Sequence, residues 1–210
     1  MPHFLIVDDH SSVREGLKHI LQNEFPSSTI AFAVTPPEAI AEVDGKFTDL
    51  VILDISLTGR DGLTLTREIK DRSPRSHILI HSMHPEDQFG IRALRAGADG
   101  YLTKDRPVAE LIAATRKLLQ GGRWISPALA EHLANAVAHP AGGGLDSLSD
   151  RELQILRMTT AGKSPTNIAE DLGLSIKTVS TYRTRLLEKL DLRTTADLIR
   201  FGLENNLSGD

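Results

Sequence analysis

Asp49-Leu50-Val51-Ile52-Leu53-Asp54 is the stretch from which the fold is read. Its four consecutive apolar residues carry a carboxylate, Asp54, to the end of a run too short for a helix. Phe4-Leu5-Ile6-Val7 does the same for Asp8 and Asp9, Ile78-Leu79-Ile80-His81 for the hydroxyl of Ser82, and Gly100-Tyr101-Leu102-Thr103 for Lys104. Uninterrupted apolar runs suit strands buried on both faces, as in a parallel sheet covered by helices. Ligands of such sheets bind in the crevice outside the carboxyl ends of the strands. Taken singly, each residue has an ordinary role: a strand-end Asp forms turns or caps helices, a lysine sits solvated, and Ser82 caps the next helix. Three acids, a hydroxyl and a lysine at successive strand ends point instead to one shared site.

Helix-spaced segments separate these runs. Ser12 to Asn23 places Val13, Leu17, Ile20 and Leu21 on one side, and Thr29 to Val34 then reads as a strand. Further helices are predicted after Pro36-Pro37, from Leu63 to Asp71 beyond a turn at Gly59 to Gly62, from Glu86 to Ala96, and from Val108 to Leu119. Five strand-helix units over residues 1–120 predict a doubly wound α/β domain. A flavodoxin-like order 2-1-3-4-5 would set the first and third strands side by side and bring Asp8, Asp9 and Asp54 together. Residues 121–146 read as a linker, opened by Gly121-Gly122, with one helix near 127–138 and a glycine-rich tether through Gly144. Residues 147–210 hold helices only, Ser149 to Thr160, Pro165 to Leu172, Ile176 to Leu190 and Thr195 to Asn205: a small all-α four-helix domain. Ser149 and Glu152 form a capping-box pattern at its start.

Composition narrows the classes. With 210 residues, 40% of them hydrophobic and 25% charged, two modest globular domains are expected and wholesale disorder is not. The absence of cysteine excludes disulfides and thiolate metal sites. No apolar run approaches a membrane span, and the N-terminus lacks a signal-peptide pattern, so a cytoplasmic protein without membrane contact is expected. A net charge of −4 does not advertise nucleic-acid binding. Between Ser175 and Arg193, however, Lys177, Arg183, Arg185, Lys189 and Arg193 face only Glu188 and Asp191, which concentrates positive charge on one helix.

Clustered carboxylates repel one another unless a cation joins them. Mg²⁺ favours oxygen ligands, commonly one or two carboxylates with waters and phosphate oxygens. Beside it, Asp54 could attack a phosphoryl group, with Lys104 and Ser82 stabilising the phosphate oxygens. His10, His81 and His84 lie near the same edge, but their spacing is undistinguished and a transition-metal site ranks below the Mg²⁺ reading. In the last third of the chain, Pro165 to Leu172, Gly173-Leu174-Ser175 and Ile176 to Leu190 read as helix, tight turn and helix. At about 100° per residue the second helix turns Val179, Leu186 and Leu190 to a core and Lys177, Ser180, Thr181 and Thr184 to the opposite face, flanked by Arg183 and Arg185. That face suits a major groove, although a plain amphipathic helix with a solvated basic side shares the pattern.

With these motifs in place, the first domain resembles the receiver domain of two-component response regulators. Ser82-Met83-His84 and Gly100-Tyr101-Leu102-Thr103-Lys104-Asp105 resemble the NarL/FixJ branch in particular. The resemblance implies that Asp54 is the phosphoacceptor for a histidine kinase. It also implies that Asp8, Asp9 and the Ser56 backbone carbonyl join Asp54 around Mg²⁺, and that Ser82 and Tyr101 are the paired switch residues. Thr58 departs from the pattern, standing where the family usually has proline. Leu148-Ser149-Asp150-Arg151-Glu152, Ile168-Ala169, Leu174-Ser175, Lys177-Thr178-Val179 and Lys189-Leu190 resemble the LuxR-type DNA-binding domain, with Tyr182 where most members have histidine. This implies Lys177, Ser180, Thr181 and Thr184 as DNA-facing positions on a double-stranded operator. The last helix, with Ala196, Leu198, Ile199 and Leu203, resembles the family's dimer contact; ordinary core packing explains it equally well. A homodimer that regulates transcription, not an enzyme beyond slow self-dephosphorylation, is the expectation. Two rivals are a phosphatase or phosphotransferase that uses aspartyl-phosphate chemistry, and a constitutive interaction module indifferent to phosphate.

Overall fold

The apolar runs become five parallel strands in the order β2-β1-β3-β4-β5. In the computed structural model these are β1 (His3–Val7), β2 (Thr29–Ala33), β3 (Leu50–Leu53), β4 (His77–Ser82) and β5 (Gly100–Thr103). The structure describes residues 1–57, 62–138, 144–205 and 207. Helices α1 (Ser11–Glu24), α2 (Pro36–Gly45), α3 (Gly62–Arg72), α4 (Glu86–Arg95) and α5 (Val108–Leu119) follow the strands in turn. Phe4, Ile6, Leu50, Ile52, Leu79 and Leu102 are buried against Leu17, Leu21, Leu111, Ala114 and Leu118. Such continuous burial of the central strands is what their unbroken apolar runs require. The predicted turn at Gly59 to Gly62 and the departure at Thr58 lie outside the described residues, except Gly62 itself, which opens α3.

The chain divides into two units, Met1–Ala138 and His139–Asp210. The first unit therefore runs past residue 120 and includes the helix expected to belong to a linker. Two features extend it. Trp124 pairs in parallel with Gly100: its amide donates to Asp99 O at 3.0 Å, and its carbonyl accepts from Tyr101 N at 3.2 Å. A Cβ on Gly100 would stand 2.9 Å from Trp124 Cβ, so only glycine admits this approach. Next, α6 (Pro127–Ala138) lies against α4, with Leu129 buried at its N-terminal end and Ser126 Oγ donating to Glu86 at 2.6 Å. Trp124 thus stands at the edge of β5 in the first unit.

The second unit comprises α7 (Asp150–Thr160), α8 (Pro165–Leu172), α9 (Ile176–Lys189) and α10 (Thr195–Glu204), preceded by a short 3₁₀ turn at Leu145–Ser147. The tether through residue 143 lies outside the described residues. Each helix begins with a hydroxyl cap: Ser149, Ser164, Ser175 and Thr194 accept from Glu152, Asn167, Thr178 and Asp197 amides. Gly173 ends α8 at φ 62°, the left-handed geometry that its position in the tight turn requires. Leu153, Ile155, Leu156, Ile168, Val179, Leu186 and Leu198 form the buried interior. Among the described residues, no helix is long and apolar enough to cross a membrane.

Candidate phosphoryl site and DNA-reading helix

Strand register assembles the first site. Val7 pairs with Leu53, so the next residues, Asp8 and Asp54, emerge side by side. Asp54 N donates to Val7 O at 2.9 Å, and Lys104 N donates to Ser82 O at 2.8 Å, which carries Lys104 to the same edge. The Lys104 ammonium donates to Asp8 Oδ2 and Asp54 Oδ2, both at 2.7 Å. The Asp8 and Asp54 side chains are buried, 3% and 2% exposed, and that of Lys104 is 9% exposed at the sheet edge. Burial pushes the Lys104 pKa down, but hydrogen bonds to Asp54 and Asp8 outweigh it and hold the ammonium above its ordinary value. It stays charged between its two carboxylates.

Asp8, Asp9, His10 and Asp54 each offer one ligand atom within 4.8 Å of the others, a cluster that could hold a metal ion. Its three carboxylates are hard oxygen donors. The sequence reading left His10 outside, yet its Nδ1 lies 2.8 Å from Asp9 Oδ1 and 3.2 Å from Asp8 Oδ1. Ser56 is exposed on the loop after β3, and its amide donates to Asp54 Oδ1 at 3.0 Å.

Ser82 is fully buried, and its Oγ accepts from His84 N at 3.3 Å. Tyr101, 2% exposed, donates its hydroxyl to His84 O at 2.9 Å. Both side chains therefore hold the same residue, whose ring stacks on Phe89 of α4 at 4.7 Å.

His81 has a role the sequence did not suggest. Burial first, then the Lys104 ammonium, lower its pKa from 6.5 to about 4, against the opposing pull of Asp8 and Asp54. Between those values the unfolded chain binds a proton that the folded chain refuses, so stability should decline as pH falls from 6.5 towards 4. Replacing His81 with leucine should remove this dependence. Urea unfolding of His81→Leu against the unaltered protein should show their stability difference shifting by up to about 3 kcal/mol in the variant's favour between pH 7 and pH 4. A constant difference would contradict the assignment.

In the second unit, Lys177, Ser180, Thr181 and Thr184 are all exposed on one side of α9, as their spacing requires, and Val179 and Leu186 are buried on the other. The flanking cations behave differently from one another. Arg185 is exposed, its guanidinium 5.9 Å from the Tyr182 ring centroid. Arg183 donates to Thr195 at the start of α10. Lys189 is held by Glu152 at 2.8 Å and by Ser147 O at 3.2 Å. Burial would raise the Glu152 pKa, but Lys189 and the Ser149 amide and hydroxyl hold it below its ordinary value. On α10, Leu198 enters the core whereas Ala196 and Leu203 are exposed.

Comparison with known proteins agrees with both halves. Residues 4–116 match the model of the response regulator receiver domain. Residues 146–201 match that of bacterial regulatory proteins of the luxR family. The chain is 36% identical over 207 residues to the transcriptional activator protein ExaE of Pseudomonas putida, covering 97% of this chain and 96% of ExaE. It is 32% identical over 209 residues to the response regulator UvrY of Escherichia coli K12, covering 99% of this chain and 96% of UvrY. A crystal structure of a LuxR-family two-component response regulator from Aurantimonas sp. SI85-9A1 is similar at a TM-score of 0.59 and 34% identity, covering 65% of this chain and 97% of that one. With a receiver sheet that gathers acids and a lysine at one edge, and a LuxR-type helical domain following it in the sequence, the chain belongs to the NarL/FixJ family of two-component response regulators, which control transcription.

Proposed function

We propose that Asp54 accepts a phosphoryl group from a histidine kinase and that this modification governs operator binding by α9. The observation that carries the reading is Lys104 Nζ at 2.7 Å from both Asp8 Oδ2 and Asp54 Oδ2 inside a buried edge. An Asp54 carboxylate oxygen attacks phosphorus, a P–O bond forms, and the P–N bond to the kinase histidine breaks. Asp8, Asp9, Asp54 and the Ser56 carbonyl would hold Mg²⁺, which would supply positive charge beside the transferring group. Lys104 gives up one carboxylate oxygen and donates to a phosphoryl oxygen. Ser82 moves to donate to another and so draws away from the His84 amide, and the residue that Tyr101 also holds loses one of its anchors. The change can then pass through His84 to Phe89 and α4, against which α6 lies.

In the second unit, Lys177, Arg183 and Arg185 would meet phosphates while Ser180, Thr181 and Thr184 face base edges. Two copies joined through the exposed Ala196 and Leu203 of α10 would place two reading helices on paired half-sites. We assign the protein to the cytoplasm and give it only slow self-dephosphorylation. The test is selection of bound duplex from random sequence, with untreated protein and with protein carrying beryllofluoride as phosphoryl mimic. Enrichment of a paired motif that tightens with the mimic is the expected result. Equal affinity in both states would favour the constitutive module instead.

A further inference from the structure

The reading face of α9 is less polar than its residue types suggest. Thr181 Oγ1 donates to Lys177 O at 3.0 Å, and Thr184 Oγ1 donates to Ser180 O at 3.2 Å. A threonine in a helix has two favoured side-chain settings, and these bonds to the previous turn select one of them. With its proton committed, each hydroxyl can no longer donate to guanine O6 or N7 or to thymine O4, and the γ-methyl gives the residue an apolar contact to offer. Both threonines are exposed, about one turn apart on the same face.

Guanine is read most often by arginine or lysine donating to O6 and N7, whereas thymine alone displays a methyl group, which takes apolar contact. The long cations near this face are partly committed elsewhere: Arg183 to Thr195, Lys189 to Glu152, and Arg185 beside Tyr182. Lys177 lies in the first turn of α9 and is assigned above to a phosphate.

We propose that Thr181 and Thr184 read thymine methyl groups in the major groove, so that thymines at two neighbouring positions, more than guanines, define each half-site. The inference rests on the DNA-binding reading above and names what that face recognises.

The test uses the full chain, treated with beryllofluoride, and a duplex recovered by selection from random sequence. Each thymine of the half-site is replaced in turn by deoxyuridine, which removes the methyl and nothing else. Affinity should fall about fourfold at each of the two contacted positions, the value of one buried methyl. Thr181→Ser and Thr184→Ser keep the hydroxyl and drop the methyl, so each should erase the thymine preference at its own position. Thr181→Val and Thr184→Val keep a methyl and should preserve it. If deoxyuridine is tolerated throughout, or only 7-deazaguanine in place of guanine weakens binding, the methyl reading is overturned while DNA binding stands. If no duplex is enriched, the DNA-binding reading falls, and this inference with it.

Discussion

Asp54→Asn should take up no phosphate from a small phosphodonor above background, while the fold of the first unit is retained. The substitution removes the nucleophile and leaves the other strand-end groups in place. It also removes one of two carboxylates that converge on Lys104, so like-charge repulsion falls while the Lys104–Asp8 pair survives. Stability should therefore hold within about 1 kcal/mol of the unaltered protein, or rise. Intact-mass measurement after incubation with acetyl phosphate and Mg²⁺ reads the first effect, and urea unfolding the second. Full phosphate uptake by the variant would mean that another residue is the acceptor.

Lys104→Met should have the largest effect on stability. It leaves Asp8 and Asp54 as adjacent buried carboxylates, 3% and 2% exposed, with no ammonium between them. Removing one partner from a buried ion pair costs about 3–5 kcal/mol, and the lower figure applies here because the site opens to solvent at the sheet edge. Trp124, the one tryptophan of the chain, stands beside β5 and reports unfolding of this unit directly. Added Mg²⁺ should recover more stability in the variant than in the unaltered protein, since the methionine leaves the carboxylate charge uncompensated. Unchanged stability at pH 7 would show that the Lys104 contacts contribute nothing net.

The convergence of Asp8, Asp54 and Lys104 was legible in the sequence because parallel register turns position within a run into position in space. Once Val7 pairs with Leu53, and Ser82 with Thr103, residues one step beyond the strands must meet. The helices were legible for the same reason, their apolar spacing fixing both type and face. What stayed hidden lacks periodicity. The Gly100–Trp124 pairing is a single bridge, and the burial of Leu129 beside α4 depends on contacts that no local pattern announces. The chain therefore read as linker from residue 121, whereas its first unit continues to Ala138. Charge counting on α9 was similarly incomplete: the sequence shows how many cations the helix has, but not that Lys189 and Arg183 are bonded within their own unit. The threonine hydroxyls looked outward-facing by type and are in fact tied to the helix backbone.

Trapping the acyl phosphate tests the central claim most directly. Borohydride reduction converts a phosphorylated aspartate to homoserine, and peptide mass mapping then locates it. After incubation with acetyl phosphate, homoserine should appear at position 54 when Mg²⁺ is present and be lost when it is chelated. Homoserine at any other aspartate, or none at 54 in a protein that has taken up phosphate, would contradict the account.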